Sequence, residues 1–384
     1  MSIPRASGRW RKVNGYRAFV PDSLPPSIAW SDTLVRALSD ADRLVGRLAG
    51  EGGHLPNPHL FIRPFLRREA VLSSKIEGTQ ATLGELLAAD AGAVVDRSPD
   101  DLREVANYVT AMEHGLRRLK HLPLSLRLVR ELHEKLMRGV RGNAAAPGEF
   151  RKTQNWIGPA GASPAQATYV PPPPDALIDC LGAWETFLHD RTLPPLVQVA
   201  LAHYQFEAIH PFLDGNGRVG RLLIILFLIE RQVLPAPLLY LSAFFEASRA
   251  EYYERLRAVA ERGEWDAWLE YCLRGVARMT EDVLDRARQL NQRLGAWRRA
   301  LAGTSRGALL LVDALAENPF VTAKNAAARM GVAFTTAQRA MAALERRGVL
   351  EYVGGGERRG RVYCAKALLK ILEAPARLEP KGTE

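Results

Sequence analysis

The chain has 384 residues, enough for two or three domains with sizeable cores, and its 47% hydrophobic content fits a folded soluble protein. Three separated cysteines (Cys180, Cys272, Cys364) make neither a disulfide framework nor a metal-ligand pattern, the longest apolar run, Leu222 to Ile229, falls far short of the ~20 residues that span a bilayer, and Met1 to Lys12 has no apolar signal core. The 52 Lys and Arg against 42 Asp and Glu give a net charge of +10, which suits an anionic partner or simply a solvated basic surface.

Met1 to Ile28 is rich in Pro, Arg and Gly and reads as an arm over the fold or a partly disordered one. Ser31 to Ala49 carries Leu34, Leu38, Ala41, Leu44 (or Val45) and Leu48 at helical spacing, and Gly50, Gly52 and Gly53 are expected to stop that helix. Pro64 suits a first helical turn, the run to Ile76 holds good helix formers, and Gly78 offers the stop. Ser73 and Glu77, four apart, share one face of it. Thr82 and Glu85 form a capping box that opens a short helix toward Ala89. Ser98, Pro99, Asp100 and Asp101 open another that runs to about Leu119, and Ser125 caps a third carrying Leu128, Leu132 and Leu136. Gly148 to Pro174 breaks the helical pattern. There Trp156-Ile157-Gly158 and Thr168-Tyr169-Val170 are β-prone runs of a small hairpin or long loop, braced by Pro171 to Pro174. Asp175 to Asp190 is helical again.

Leu196 to Ala208 and Val219 to Glu230 read as two buried helices, and between them lies the most informative stretch, His210 to Arg221. Pro211 and the Gly215-Asn216-Gly217 turn forbid one continuous helix, so the second should begin near Asn216 with unpaired N–H groups facing the turn. A helix start of that kind binds anions, and bare Gly217 lets a phosphate approach the backbone. Arg218 and Arg221 share the first turn and can hold a nucleotide's outer phosphates. Asp214 supplies a hard oxygen for Mg²⁺, and His210 is the general base at hand. The chemistry is phosphoryl or nucleotidyl transfer; a helix–turn–helix corner with a satisfied histidine is the bland alternative.

Further on, Ser248 and Glu251 cap a segment through Ala260, and Trp265 to Ala300 reads as a long helix or helix pair with Trp268, Leu269, Cys272 and Val276 at core spacing. An exposed apolar face on it would suit a homodimer. Gly303-Thr304-Ser305 marks a boundary. Beyond it come a helix over Leu309 to Ala316, one capped by Thr322 and ending at Gly331, and one from Thr335 to Gly348. Leu350 to Val353 and Arg361 to Cys364 then flank a Gly- and Arg-rich tip.

His210-Pro211-Phe212, Asp214-Gly215-Asn216-Gly217-Arg218 and Arg221 resemble the HPFxDGNGRxxR signature of the Fic family at every defined position. The resemblance implies a mainly α fold, a Fic helical-bundle core with a small β-hairpin flap. It also implies a protein adenylyltransferase that moves AMP from ATP to a Ser, Thr or Tyr hydroxyl of a target protein, itself included. By the family pattern His210 deprotonates the hydroxyl and Asp214 binds Mg²⁺. Gly215, Asn216 and Gly217 hold the α- and β-phosphates, Arg218 the β/γ region and Arg221 the γ-phosphate. Ser73 to Gly78 resembles the (S/T)xxxE(G/N) motif of the class with an N-terminal inhibitory helix, which implies that Glu77 pairs with Arg221 and excludes productive ATP. The 156–170 stretch resembles the flap that aligns a target by strand addition, with Thr168, Tyr169 and Val170 as the docking run; a polyproline connector is the alternative.

The last region resembles a winged helix-turn-helix domain, whose third helix would offer Thr335, Thr336, Gln338 and Arg339 to a DNA major groove while Arg358, Arg359 and Arg361 contact phosphates. The same fold serves in dimerisation or protein docking, and Glu345, Glu351 and Glu357 dilute its basic face. The chain thus divides into an N-terminal region with the inhibitory helix (1–100, helix about 64–78), a catalytic domain with a helical extension (101–302) and a winged-helix domain (303–384). The competing functions are an autoinhibited adenylyltransferase, a DNA-binding regulator that uses the domain as a nucleotide sensor, and an AMP-removing enzyme. The sensor is disfavoured by the intact His210, because sensing needs no base. The expected setting is a reducing cytoplasm, with no membrane partner.

Overall fold

The computed structural model describes residues 6–54, 58–140, 146–159, 161–303, 306–354, 360–376 and 378. The N-terminal segment is an ordered hairpin where the sequence reading expected an arm. Strands β1 (Gly8–Val13) and β2 (Tyr16–Pro21) pair antiparallel with Val13 opposite Tyr16. Asn14 and Gly15 both have positive φ, the conformation a two-residue hairpin turn needs and Asn-Gly readily adopts. The Phe19 ring is buried 5.1 Å from Trp10, and its amide donates to Val170 O at 2.8 Å, so the hairpin lies on the 156–170 loop.

Helix α1 (Asp32–His54) runs through all three glycines expected to stop it. Its buried Leu34, Ala41, Val45 and Leu48 pack in the core, and that packing outweighs the weak helix propensity of glycine. Helix α2 (Pro58–Ile76) begins before Pro64, which lies inside it. The missing N–H there removes one helical bond, and the burial of Phe65, Leu66, Ala70 and Val71 in the core offsets the loss. Gly78, at φ 101°, ends this segment as expected.

The Thr82–Glu85 capping box is formed and opens α3 (Leu83–Asp90). Then follow α4 (Pro99–Arg118), and α5 (Leu126–Leu136) with Ser125 Oγ accepting from Leu128 N. The hairpin expected at 156–170 reduces to a single antiparallel bridge between Ile157 and Tyr169 around a 3-10 turn, Pro164–Gln166. Pro159 and Pro164 in the intervening stretch lack the N–H donors that a longer ladder requires.

After α6 (Pro174–Leu188), α7 (Pro195–Ile209) and α8 (Asn216–Glu230) form the central pair, buried on nearly every face. Helices α9 (Ser242–Ala247) and α10 (Arg249–Arg262) follow. Ser248 does not cap α10: its hydroxyl donates to Phe244 O and pairs with Tyr271. Helix α11 (Trp265–Ala300) is one unbroken helix of 36 residues. Its apolar stripe, from Trp268 and Leu269 to Leu294 and Trp297, is buried inside the chain, so the face expected to suit a homodimer is already covered.

The C-terminal elements are α12 (Arg306–Glu317), β3 (Phe320–Thr322), α13 (Ala323–Met330), α14 (Phe334–Arg346), β4 (Glu351–Gly354), β5 (Val362–Cys364) and α15 (Lys366–Glu373). The three strands form one antiparallel sheet in the order β3-β5-β4. These elements dock on α2 and α3. Asn318 Nδ2 donates to Leu87 O at 2.8 Å, Gly84 N donates to Glu373 Oε1 at 2.9 Å, and Arg63 pairs with Glu317 at 2.9 Å. All three cysteines are free and buried, and no helix among the described residues is long and apolar enough to cross a membrane.

Candidate active site

The site is built at the corner between α7 and α8. His210 caps α7 in the left-handed conformation (φ 49°, ψ 62°), which a residue with a side chain keeps only when its surroundings hold it. Gly215, at φ 78°, turns the chain into α8. Between them the Asn216 side chain ties the loop: Oδ1 accepts from Phe212 N and Nδ2 donates to Phe212 O, both at 2.8 Å. The Asn216 carboxamide is thereby engaged, and its backbone N–H in the first turn of α8 is what it has to offer an anion.

His133, on α5, supports the same loop and was not singled out by the sequence. Its ring stacks on Phe212 with centroids 3.7 Å apart. Gly148 N donates to Nδ1 at 2.9 Å, so the proton sits on Nε2 and is donated to Asp214 O at 3.1 Å. Burial lowers its pKa to about 4, consistent with that neutral tautomer.

Asp214 stands at the mouth with its side chain 57% exposed; Oδ1 accepts from Gly215 N at 2.6 Å and lies 3.7 Å from Arg218. Among the described residues no group of three or more His, Cys, Asp or Glu could hold a metal. The site nonetheless fits Mg²⁺, which binds through one carboxylate with water and phosphate oxygens.

Both arginines are buried. The Arg218 side chain is 4% exposed, 3.4 Å from Glu104. Arg221 is 2% exposed and is met by α2: Nη2 donates to Glu77 Oε1 at 2.7 Å and to Ser73 O at 2.9 Å, and Nε donates to Ser73 Oγ at 2.9 Å. Ser73 and Glu77 thus lie on the guanidinium that the sequence reading assigned to the γ-phosphate. Gly217 completes the arrangement. A Cβ there would stand 2.3 Å from Glu77 Oε1, so the carboxylate occupies the bare backbone position expected for an anion. Burial raises the Glu77 pKa, but the Arg221 charge outweighs it and holds the carboxyl below its usual range.

Glu207, one turn before His210, was not read from the sequence. Burial pushes its pKa up to about 7 against the pull of Arg221, and its Oε1 is buried without a hydrogen-bond partner among the described residues. Burial, and then the Arg151 charge, lower the His210 pKa to about 4, so the imidazole is neutral at physiological pH.

Beside the corner opens a cavity of about 570 Å³ lined by Tyr169, Glu207, Arg249, Tyr253 and Leu256, among others. Thr168 and Tyr169 face it, whereas Val170 is buried. Tyr169 exchanges both backbone bonds with Ile157, and its hydroxyl donates to Ala208 O at 2.7 Å. Three segments far apart in sequence make these walls, which is why no local motif reveals them. On the C-terminal elements, Thr335, Thr336, Gln338 and Arg339 are exposed along α14, and Arg361 lies over the Tyr352 ring at 5.9 Å. Arg358 and Arg359 lie outside the described residues.

Residues 35–117 match the model of the Fic/DOC family N-terminal region, and residues 123–228 that of the Fic/DOC family itself. The chain thus carries a Fic/DOC domain. Over 216 residues it is 30% identical to a protein adenylyltransferase Fic of Drosophila erecta, a match that spans 55% of this chain and 39% of that relative. The match to the Drosophila melanogaster protein of the same name is 29% identical over the same shares. The fold is similar to a Fic family protein from Desulfovibrio desulfuricans, with a TM-score of 0.60 and 21% identity, covering 89% of this chain and 98% of that one. Fic-1 from C. elegans is similar over 66% of this chain and 74% of its own, with a TM-score of 0.50 and 25% identity. The Fic/DOC match includes the whole corner from His210 to Arg221.

Proposed function

We propose that this protein transfers AMP from ATP to a hydroxyl of a target protein and that Glu77 holds it in an inhibited state. The observation that carries the second part is the Glu77 carboxylate, bonded to Arg221 at 2.7 Å and seated over Gly217 at the start of α8. A carboxylate there mimics one phosphate of a nucleotide, so the two exclude each other. With Glu77 displaced, Arg221, Arg218 and the first N–H groups of α8 bind the triphosphate, while the adjoining cavity accepts the nucleoside. Asp214 would hold Mg²⁺, which would supply charge neutralisation to the bound phosphates.

Neutral His210 takes the proton of the target Ser, Thr or Tyr hydroxyl. That oxygen attacks the α-phosphorus, the bond from the α-phosphorus to the bridging oxygen breaks, and pyrophosphate leaves. The target segment is presented by the flap around Ile157 and Thr168 to Val170. The division expected between 1–100 and 101–302 falls inside α4 (Pro99–Arg118), and the N-terminal family match also crosses it. We read the C-terminal elements, 303–384, as a winged-helix domain with α14 as its exposed helix. As a DNA reader it would bind a duplex with salt-dependent affinity that falls on Arg339→Ala.

The test of the enzyme reading is transfer from ATP and Mg²⁺ to cell-lysate proteins by wild type, Glu77→Gly and His210→Ala, read by mass spectrometry as addition of AMP. Addition should rise with Glu77→Gly and vanish with His210→Ala. Equal yields from wild type and Glu77→Gly would remove Glu77 from its inhibitory role.

A further inference from the structure

Arg151 is 4% exposed, and among the described residues no carboxylate lies within ion-pair distance of it. A buried cation without a counter-ion is unfavourable unless its donors are used, and here they are spread over the main chain. Nε donates to His210 O at 3.0 Å, and Nη2 donates to Pro172 O at 2.5 Å and to Ile209 O at 3.4 Å. Nη1 donates to Thr153 O at 3.3 Å, and the Arg151 amide donates to Pro211 O at 2.9 Å. Asn155 works beside it, with Nδ2 donating to His210 O at 3.3 Å and to Phe212 O at 2.7 Å.

Two features make this more than packing. The carbonyls of Ile209 and His210 belong to the end of α7, where backbone acceptors have no helical partner, and His210 itself is held in the left-handed region. Pro172, by contrast, ends the loop that carries Tyr169 and Val170. One planar guanidinium therefore joins the backbone of the base to the root of the flap, a span that a fixed fork of donors can bridge and a single ammonium does not. We propose that Arg151 is a positioning residue that sets the backbone of His210 and couples it to the flap, so that the target segment and the base keep one register. This rests on His210 being the base for transfer and on the flap presenting the target.

The test uses full-length protein with Glu77→Gly as parent, and compares Arg151→Lys, Arg151→Gln and the milder Asn155→Ala. Four quantities are read: kcat and KM for AMP transfer, calorimetric affinity for ATP with Mg²⁺, urea stability, and amide hydrogen exchange. In Arg151→Lys and Arg151→Gln, kcat should fall ~100-fold, the scale of a small misplacement of reacting groups, with ATP affinity changed by no more than a few-fold. Lysine should not rescue, because the retained charge does not reproduce the fork. Exchange should rise together over 154–172 and 206–213. Asn155→Ala should move the same readouts in the same direction by less, and it remains informative if an Arg151 variant fails to fold.

Unchanged kcat in Arg151→Gln, full rescue by lysine, or a fall in ATP affinity matching the fall in kcat would overturn the assignment. A parent that transfers no AMP would instead overturn the functional reading. The exchange result still decides the coupling in that case, since faster exchange in only one of the two segments refutes it.

Discussion

Replacing Glu77 by glycine should make the protein less stable and more responsive to nucleotide at once. Breaking a buried ion pair by removing one partner costs about 3–5 kcal/mol when the remaining charge is left alone. Here Arg221 is 2% exposed, but Glu77 is 35% exposed and Arg221 keeps its bonds to Ser73, so a loss of about 2 kcal/mol is expected. Under the proposed inhibition the same ~2 kcal/mol should oppose ATP in wild type and weaken its apparent affinity about 30-fold. At ATP and Mg²⁺ concentrations 100 times the variant's Kd, linkage stabilises the variant by about 2.7 kcal/mol and the wild type by about 0.9 kcal/mol. Urea unfolding at pH 7.5 with and without nucleotide reads both effects. Equal stabilisation of the two proteins by ATP would mean that Glu77 does not occupy the place of a phosphate.

Gly217→Ala puts a Cβ 2.3 Å from Glu77 Oε1 and 2.8 Å from Arg221 Nη1, so it should expel the carboxylate and also obstruct the phosphate; transfer should stay low even when combined with Glu77→Gly, and a double variant as active as Glu77→Gly would contradict the shared position. Because Arg221 lowers the Glu77 pKa, the pair stabilises the fold fully above the ordinary carboxylate value of about 4.3 and loses that contribution as pH falls through the lower folded value. The Glu77 carboxylate should therefore stay charged between pH 6 and 8, and a change of inhibition within that window would point to Glu207, whose pKa burial raises to about 7. His210 is neutral above about pH 4, and removing Glu77 takes away a charge that raises its pKa, so the acid limb of transfer by Glu77→Gly should lie well below 6.5. A limb at 6.5 would mean a solvated imidazole. His133→Phe keeps the stack on Phe212 but leaves Gly148 N and Asp214 O without their partner, a cost of roughly 1–3 kcal/mol per group in urea unfolding, and an unchanged midpoint would contradict the assigned tautomer.

The parts of this fold legible in the sequence are those fixed by local chemistry. The Thr82 and Ser125 caps, the glycine stop at Gly78 and the turn at Gly215 each follow from a few neighbouring residues, and each is found where the residues put it. Two of the misreadings come from longer range. Packing carries α1 through Gly50, Gly52 and Gly53 and α2 through Pro64, against local propensity. The Asn14-Gly15 pair is itself a local signal for the N-terminal hairpin, and the Pro-, Arg- and Gly-rich composition around it masks that signal. At the site, Glu77, which the fold brings to Arg221, and the residues from His210 to Arg221 could be named through two short motifs that resemble a family's. His133, Glu207 and the cavity walls at Arg249 and Tyr253 could not, because they gain meaning only when α5, α7 and α10 converge on the corner. The apolar stripe of α11, expected to be exposed, is buried for a related reason, since periodicity reveals an apolar face without naming what covers it.

Under the proposed function this corner moves AMP rather than a terminal phosphate. The most direct measurement gives Glu77→Gly two forms of ATP with Mg²⁺, one labelled on the α-phosphate and one on the γ-phosphate, and follows label into protein with His210→Ala as control. Label from the α-position alone, lost with His210→Ala, is the predicted result. Label from the γ-position, or α-label that survives His210→Ala, would contradict it.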